Sequence, residues 1–516
     1  MCGIAAIWGK ESQSNESLLK MLKPISHRGE IEFFNESESL DHCVLGMNRL
    51  AIVDQENAKQ PFVSKDGRYH IVFNGEIYNF IEIRKELRDM GHHFTTNSDT
   101  EVLLRAYIEW QEKSLEKLNG MFAFFIYDKI ENTFFAARDP FGIKPLYWAK
   151  DKQSQYYFAS EIKSLSHFEH LEEIKIFPPG HFMKSKKLQS YYFFPEEQIQ
   201  TLSEEESIQE LREFIDEAVK KRVQTELPIA VYLSGGIDST AILATARKFH
   251  PDVTAIIIGN EHSTDKKIAT KYCEENNIKY IVKTPPTEEE LLELIPLVTQ
   301  ITESFEPNLV RQSTLTYHIA EAAKDFKVVL CGEGADEIFA GYPEFMDLNE
   351  DEIQKKSMSF LKDLHRTQLQ RVDRCSMYFT TEVRIPFLDV SIVDFILKKP
   401  GNLKIRMEEG KTITKYLLRK AMADRLPEYI YNREKVVLSE GAGYKGNKKI
   451  GGLFYDLISE KLSDQEFEKY KLKYQDWKLE TKEEVFYFKI YCELGYTKAK
   501  FNQKRVIANS INTKNS

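Results

Sequence analysis

The apolar run PIAVYL (228–233) passes without a spacer into SGGIDST (234–240) and then into TAILATARKF (240–249): a strand, a glycine turn and a helix in direct succession. Two adjacent glycines let the backbone curl so that successive N–H groups point inward, and the N-terminus of the next helix adds positive potential. Ser234, Ser239 and Thr240 bring hydroxyl donors suited to phosphate oxygens. Asp238 in the same turn would repel phosphate unless a divalent cation lay between them, so the acid points to a metal-bound nucleotide. No G-x-x-x-x-G-K-S/T stretch is present, which excludes a Walker-type loop.

The same alternation continues downstream. VTAIIIG (253–259) and IKYIVK (278–283) read as strands, AEAAKDF (320–326) as helix and KVVL (327–330) as strand. Strand–helix alternation of this kind implies a doubly wound parallel sheet. After KVVL the chain reads CGEGADEIFAGY, so Glu333, Asp336 and Glu337 arrive where strand gives way to helix. That is the carboxyl edge at which open α/β sheets collect ligands. SEEES (203–207) carries Ser203 and Glu206 at capping-box spacing and starts the helix that leads into this half.

The first ~195 residues differ in character. IVFNGEIYNF (71–80), GMFAFFIYD (120–128), FFAARD (134–139) and QYYFAS (155–160) are β-type runs, while IEIRKELRDM (81–90) and TEVLLRAYIEW (100–110) carry helical spacing. Sheets packed against a few helices follow. This half opens MCGIAAIW. Removal of Met1 would give Cys2 both a thiol, of pKa about 8.5, and a free α-amine of about 7.7–8.0 able to act as its base.

A chain of 516 residues needs two or more cores. The net charge of −9 argues against nucleic acid as a partner. No apolar run approaches the roughly 20 residues that cross a bilayer, and no secretory signal is legible. The six cysteines are scattered with no C-x-x-C pair, which indicates neither a zinc site nor a disulfide framework and places the chain in the reducing cytoplasm.

MCGI (1–4), HRG (27–29), RLAIVD (49–54), FNGEIYN (73–79), NSDTEVLL (97–104), RDPFGIKPLY (138–147), LSGGIDST (233–240), GEGADEIFAGY (332–342), EVRIPFLD (382–389) and NREK (432–435) stand in one order along the chain. In that order they resemble the glutamine-dependent asparagine synthetase family. The resemblance implies two domains. Residues 1–195 would form a class II glutamine amidotransferase of N-terminal-nucleophile type, with stacked antiparallel sheets and helices. Residues 205–516 would form a synthetase of ATP-pyrophosphatase type on the parallel sheet. It also implies roles. Cys2 would attack the glutamine amide, and Asn74 and Gly75 would form the oxyanion hole. Arg49 and Asp99 would hold the glutamine carboxylate and α-ammonium, with Leu50, Ala51, Ile52, Val53 and Glu76 lining the pocket. Leu233, Ser234, Gly235, Gly236, Asp238, Ser239, Thr240, Ile258, Cys331, Gly332 and Lys435 would contact ATP, and Arg311 is a further candidate for phosphate. Asp238 and Asp336 would hold Mg²⁺, and Glu333 would serve the acyl-adenylate step. The acceptor would be aspartate. Two alternatives stay open: the same chemistry on another carboxylate, and a non-catalytic sensor that keeps the pockets. A homodimer is one assembly open to the chain. Two departures stand out: Glu30 and Ile31 replace the usual Pro-Asp after HRG, and Cys331 replaces a serine.

Overall fold

The computed structural model describes residues 2–9, 15–29, 36–40, 42–195, 203–436, 442 and 450–503. Twelve strands precede residue 195 among them: β1 (Gly3–Trp8), β2 (Glu36–Leu40), β3 (Cys43–Asn48), β4 (Phe62–Val63), β5 (Tyr69–Ile77), β6 (Gly120–Asp128), β7 (Thr133–Arg138), β8 (Tyr147–Lys150), β9 (Tyr156–Ala159), β10 (Ile174–Ile176), β11 (His181–Lys184) and β12 (Lys187–Ser190). They form two six-stranded antiparallel sheets, ordered β10-β8-β9-β1-β3-β2 and β12-β11-β7-β6-β5-β4.

The period-2 pattern decides what lies between and outside these sheets. Ile4, Ala6 and Trp8 of β1 meet Val72, Ala123 and Phe125 of the facing sheet in the inner layer. Their neighbours Ala5 and Ile7 point outward to Leu18, Met21 and Leu22 of the helix Asn15–Leu22. On the other sheet Phe122, Phe124 and Ile126 point outward to the helices Phe80–Asp89 and Asp99–Trp110. The result is a helix–sheet–sheet–helix sandwich, as the β-rich first half implies.

The second half carries β13 (Ile229–Tyr232), β14 (Val253–Ile258), β15 (Lys279–Lys283), β16 (Val328–Leu330) and β17 (Glu382–Arg384), all parallel and ordered β15-β14-β13-β16-β17. This is the doubly wound sheet expected from the alternation. The order reverses between β13 and β16, and at such a switch point a crevice opens at the carboxyl edge. Ser203 and Glu206 close the capping box at the start of the helix Glu204–Arg222. The helix expected at 320–326 is the end of a longer one, Pro307–Ala322, which the chain leaves through a turn before β16. β17 lies within EVRIPFLD, to which the sequence pattern assigns no element. A two-stranded hairpin, β18 (Ile405–Glu408) with β19 (Lys411–Thr414), lies farther on. Among the described residues no helix is long and apolar enough to cross a membrane.

The two sheet systems share apolar cores. Leu50, Ile52, Tyr78, Met121, Phe141 and Ile143 pack in one cluster with Leu233, Ile237, Ala335 and Leu388. The outer face of β1 is covered in part by C-terminal helices, where Phe305 meets Phe488 at 5.1 Å, Tyr491 at 5.2 Å and Trp477 at 5.7 Å between ring centroids. Removing that ring empties a shared core, so Phe305→Ala is expected to cost about 3–5 kcal/mol in equilibrium denaturant unfolding. A loss below about 1 kcal/mol would show that the helices do not anchor the sandwich.

Candidate functional site

Cys2 leads directly into β1 and is buried. Its backbone N–H donates to Asn74 Oδ1 at 3.0 Å, which places β5's Asn74 beside the head of β1. Asn74 is fully buried, and its Nδ2 has no partner among the described residues. An orphaned amide donor beside a buried thiol is the kind of donor a tetrahedral oxyanion requires. Gly75 follows at φ +156°, where an added Cβ would lie 2.1 Å from the Met121 carbonyl oxygen, so the approach of β5 to β6 admits only glycine here. Burial pushes the Cys2 thiol up. The Leu50 backbone N–H and the Arg49 charge work against that rise. From behind, Arg28 Nε donates to the Cys2 carbonyl at 3.1 Å.

Arg49 follows β3, and its guanidinium donates to the carbonyls of Gln55 (3.0 Å) and Asp54 (3.2 Å), folding the 49–55 segment back on itself. Leu50, Ala51 and Ile52 are buried there and Val53 is half-buried. Asp99 opens the helix Asp99–Trp110, which Ser98 caps by accepting from the Glu101 N–H. Asp99 Oδ2 accepts from Ile77 N–H at 3.0 Å, which fastens the end of β5 to that helix. Glu76 reaches Arg384 of β17 at 3.3 Å, and the same guanidinium holds Glu382 at 2.6 Å. Three buried carboxyls therefore gather around one arginine. Burial, with Glu382 adding, pushes Asp99 up to about 6. Burial, then Glu382 and Asp99, raises Glu76 well above the usual carboxylate range.

The second centre lies in the crevice between β13 and β16. Gly235 adopts φ +71° in the turn after β13, and Gly236 starts the helix Ile237–Phe249 with no side-chain cap. Ser234 N–H donates to Ser239 Oγ at 3.1 Å and Thr240 Oγ1 donates to the Gly236 carbonyl at 2.8 Å, which fixes the loop. A Cβ on Gly332 would lie 3.0 Å from Ser239 N, so the segment after β16 packs directly on this loop. Leu233, Ile258 and Cys331 are buried around it, and burial above all pushes the Cys331 thiol up to about 12.

Acids and lysines alternate across the crevice. Lys415 bridges Asp238 and Asp336, the latter at 2.7 Å, and Lys435 Nζ donates to Asp336 Oδ2 at 2.5 Å. Burial works against the Asp336 carboxylate, but Lys415 and Lys435 outweigh it and hold its pKa below the usual range. Glu337 accepts from Tyr342 OH at 2.7 Å and is pushed up to about 7 by burial, with Asp336 and Glu333 adding. Glu333 is held by Arg371 Nη2 at 2.6 Å. A divalent cation fits this donor set. Asp238 Oδ1 is buried without a hydrogen-bond partner among the described residues, and Mg²⁺ is commonly held by one or two carboxylates together with substrate phosphates.

The structure therefore brings the candidates together as two groups, one on β1 and β5, the other at the β13/β16 crevice. Arg311 stands apart, forked onto Glu483 of the helix Lys482–Glu493. Glu30 and Ile31 lie outside the described residues. Sequence reasoning missed Lys415, Arg371, Glu382 and Arg384. EVRIPFLD and NREK carried no assignment beyond Lys435, yet the first supplies β17 and the second supplies Arg433, which donates to the Ser234 carbonyl at 3.0 Å.

Two family models match the chain. A family model described as a glutamine amidotransferase domain matches residues 1–194, and one described as asparagine synthase matches 210–351 and 346–483. A Dictyostelium discoideum protein named "Probable asparagine synthetase (glutamine-hydrolyzing)" is 31% identical, over 95% of this chain and 93% of its own length. Asparagine synthetase (glutamine-hydrolyzing) 1 of Bacillus subtilis is 30% identical over 84% of this chain and 86% of its own length. Asparagine synthetase (glutamine-hydrolyzing) 2 of Arabidopsis thaliana is 32% identical over 86% of this chain and 79% of its own length.

The raised pKa of Asp99 has a sign that can be measured. Its carboxylate is disfavoured in the folded state, so it lowers stability in full above pH about 6, and that penalty fades as pH falls toward about 4. Asp99→Asn is expected to raise stability by roughly 1–3 kcal/mol at pH 8 and by about a third of that at pH 4.5, read from denaturant midpoints. Equal effects at both pH values would contradict the buried-carboxylate account.

Proposed function

The chain belongs to the glutamine-hydrolysing asparagine synthetase family, and from the two centres we propose how its residues divide the reaction. The enzyme is an ATP-dependent carbon–nitrogen ligase with glutamine as amido donor: it converts aspartate to asparagine and releases AMP and pyrophosphate.

In the amidotransferase half, taken as residues 1–195, glutamine lies against the 49–53 segment with its carboxylate on Arg49 and its α-ammonium on Asp99. Leu50, Ala51, Ile52 and Val53 line the pocket, and Glu76 closes its inner side. The Cys2 sulfur attacks the side-chain amide carbon. The α-amine freed by loss of Met1 takes the thiol proton and returns one to the departing nitrogen. Asn74 Nδ2 and the Gly75 N–H hold the oxyanion, water then cleaves the thioester, and glutamate leaves. One such donor is commonly worth about 10²–10³ in rate. The observation that carries this reading is the Cys2–Asn74 contact, which uses the Asn74 oxygen and leaves its nitrogen free.

In the synthetase half, taken as residues 205–516, Leu233, Ile258, Cys331 and Gly332 contact the nucleotide. Ser234, Gly235, Gly236, Ser239 and Thr240 cradle its pyrophosphate end, with Lys435 and Lys415 adding positive charge. Asp238 and Asp336 would hold Mg²⁺, which when bound neutralises phosphate charge. The aspartate side-chain carboxylate displaces pyrophosphate from the α-phosphorus to give an acyl-adenylate. Ammonia then attacks the acyl carbon and AMP leaves, with Glu333, steadied by Arg371, serving this step. Six free cysteines suit a reducing, cytoplasmic setting.

Cys2→Ala separates the halves. It is expected to abolish asparagine formation from glutamine and to retain synthesis from ammonium, with AMP and pyrophosphate formed in equal amounts. Loss of both activities together, or ADP as the product, would contradict the assignment.

A further inference from the structure

A glycine turn holds phosphate through N–H groups aimed into its concave side, and one peptide plane in the turn after β13 has the freedom to point the other way. Ser234–Gly235 is a trans peptide, so its carbonyl and its N–H point in opposite directions. Gly235 has φ +71° and no side chain, and rotation of that plane therefore costs little. With the plane reversed, the Ser234 carbonyl would face the phosphates in place of the Gly235 N–H, and an attraction would become a repulsion.

Arg433 holds that plane. Its Nη1 donates to the Ser234 carbonyl at 3.0 Å, and its Nη2 donates to Asp265 Oδ1. The two side chains are 9% and 6% exposed, so solvent and salt screen the pair little. Asp265 stands in the first turn of the helix Thr264–Glu275, which Ser263 caps by accepting from the Lys266 N–H at 2.9 Å. That helix lies against the glycine turn: a Cβ on Gly235 would fall 3.0 Å from Ala269 N and 3.3 Å from the Asp265 carbonyl oxygen. Arg433 is fixed in its turn by Arg419 of the helix Tyr416–Met422, which donates from Nη2 to the Arg433 carbonyl at 2.9 Å and from Nη1 to the Tyr431 carbonyl. Strand order supplies the direction. β13 lies between β14 and β16, and Asp265 belongs to the segment that follows β14. The Ser234 carbonyl is thus drawn to the β14 side, which leaves the Gly235 N–H facing the β16 side, where the crevice lies.

We infer that Arg433, oriented by Asp265, is a positioning residue for the pyrophosphate end of ATP: by taking the Ser234 carbonyl it fixes the Gly235 N–H toward the phosphates. The inference rests on the ATP site proposed above. In this role Arg433 acts through the turn, unlike Lys435 two residues on, whose ammonium reaches Asp336 inside the crevice. Releasing Arg433 weakens whatever binds through the N–H groups of the turn and leaves the nucleoside end of the site alone.

The test uses the full-length enzyme with ammonium as nitrogen donor and reads the ATP KM together with inhibition by inorganic pyrophosphate and by AMP. Asp265→Asn keeps the shape of the side chain and removes the charge that orients Arg433. It is expected to raise the ATP KM and the pyrophosphate inhibition constant together, about tenfold, while the AMP inhibition constant, the aspartate KM and the glutaminase kcat/KM stay within about twofold. An unchanged pyrophosphate constant overturns the inference, and so does an equal loss of AMP and pyrophosphate affinity, which a loosened crevice would give. If Asp265→Asn does not fold, Arg433→Lys replaces it. That variant keeps the charge but lacks the planar fork that serves the Ser234 carbonyl and Asp265 together, so the same split between pyrophosphate and AMP is expected, and its absence overturns the proposal. Failure of the ATP assignment shows separately, as a parent enzyme that releases ADP or whose synthesis pyrophosphate does not inhibit.

Discussion

A guanidinium with no access to water has to be satisfied wholly by protein, and Arg28 is satisfied from both halves of the chain at once. Glu161 and the Cys2 carbonyl come from the sandwich, and the Asp373 fork comes from the helix Gln368–Tyr378 in the second half. An arrangement of this kind adds little net stability over an apolar replacement, yet removing a single partner costs about 3–5 kcal/mol because a buried charge is left alone. Such a contact therefore works as a register mark. It tolerates one placement of the two sheet systems, and it holds the Cys2 carbonyl at that junction.

The parallel sheet imposes a second constraint of the same kind. Because β13 and β16 are parallel neighbours, the glycine turn and the GEGADE segment leave the sheet side by side, and Gly332 packs closely against Ser239. Asp238 and Asp336 then face each other across a gap where like charges repel. Lys415 and Lys435 offset that repulsion. The crevice thus holds both acids that suit a divalent cation and cations that suit phosphate, which supports the reading of a metal-bound polyphosphate.

Local pattern carried the parts of this fold that repeat. GMFAFFIYD coincides with β6 to the residue, because a continuous apolar run bounded by Gly and Asp marks a strand buried on both faces. The capping box at Ser203 and the strand–turn–helix at SGGIDST were legible for the same reason. β17 was not: three residues, EVR, are too few to show a period, and their strand conformation comes from pairing with β16. Lys415, Arg371 and Asp373 left no signal either. Their partners lie far away in sequence, and a lysine before a helix or an arginine within one has an ordinary solvent-facing reading until the fold is known. Arg311 shows the converse case, a cation suited to phosphate whose charge the fold gives to Glu483.

The account as a whole holds that nitrogen released at Cys2 is consumed at the crevice beside Glu333 within the same molecule. Amide-¹⁵N-labelled glutamine, supplied with ATP, aspartate and a comparable pool of unlabelled ammonium at pH 7, tests that by mass spectrometry of the asparagine formed. Label carried into the side-chain amide well above its share of the mixed nitrogen pool is the result this account predicts. Label diluted to that share throughout the reaction would mean that the two centres exchange ammonia only through solvent, and the buried junction would then have no part in the chemistry.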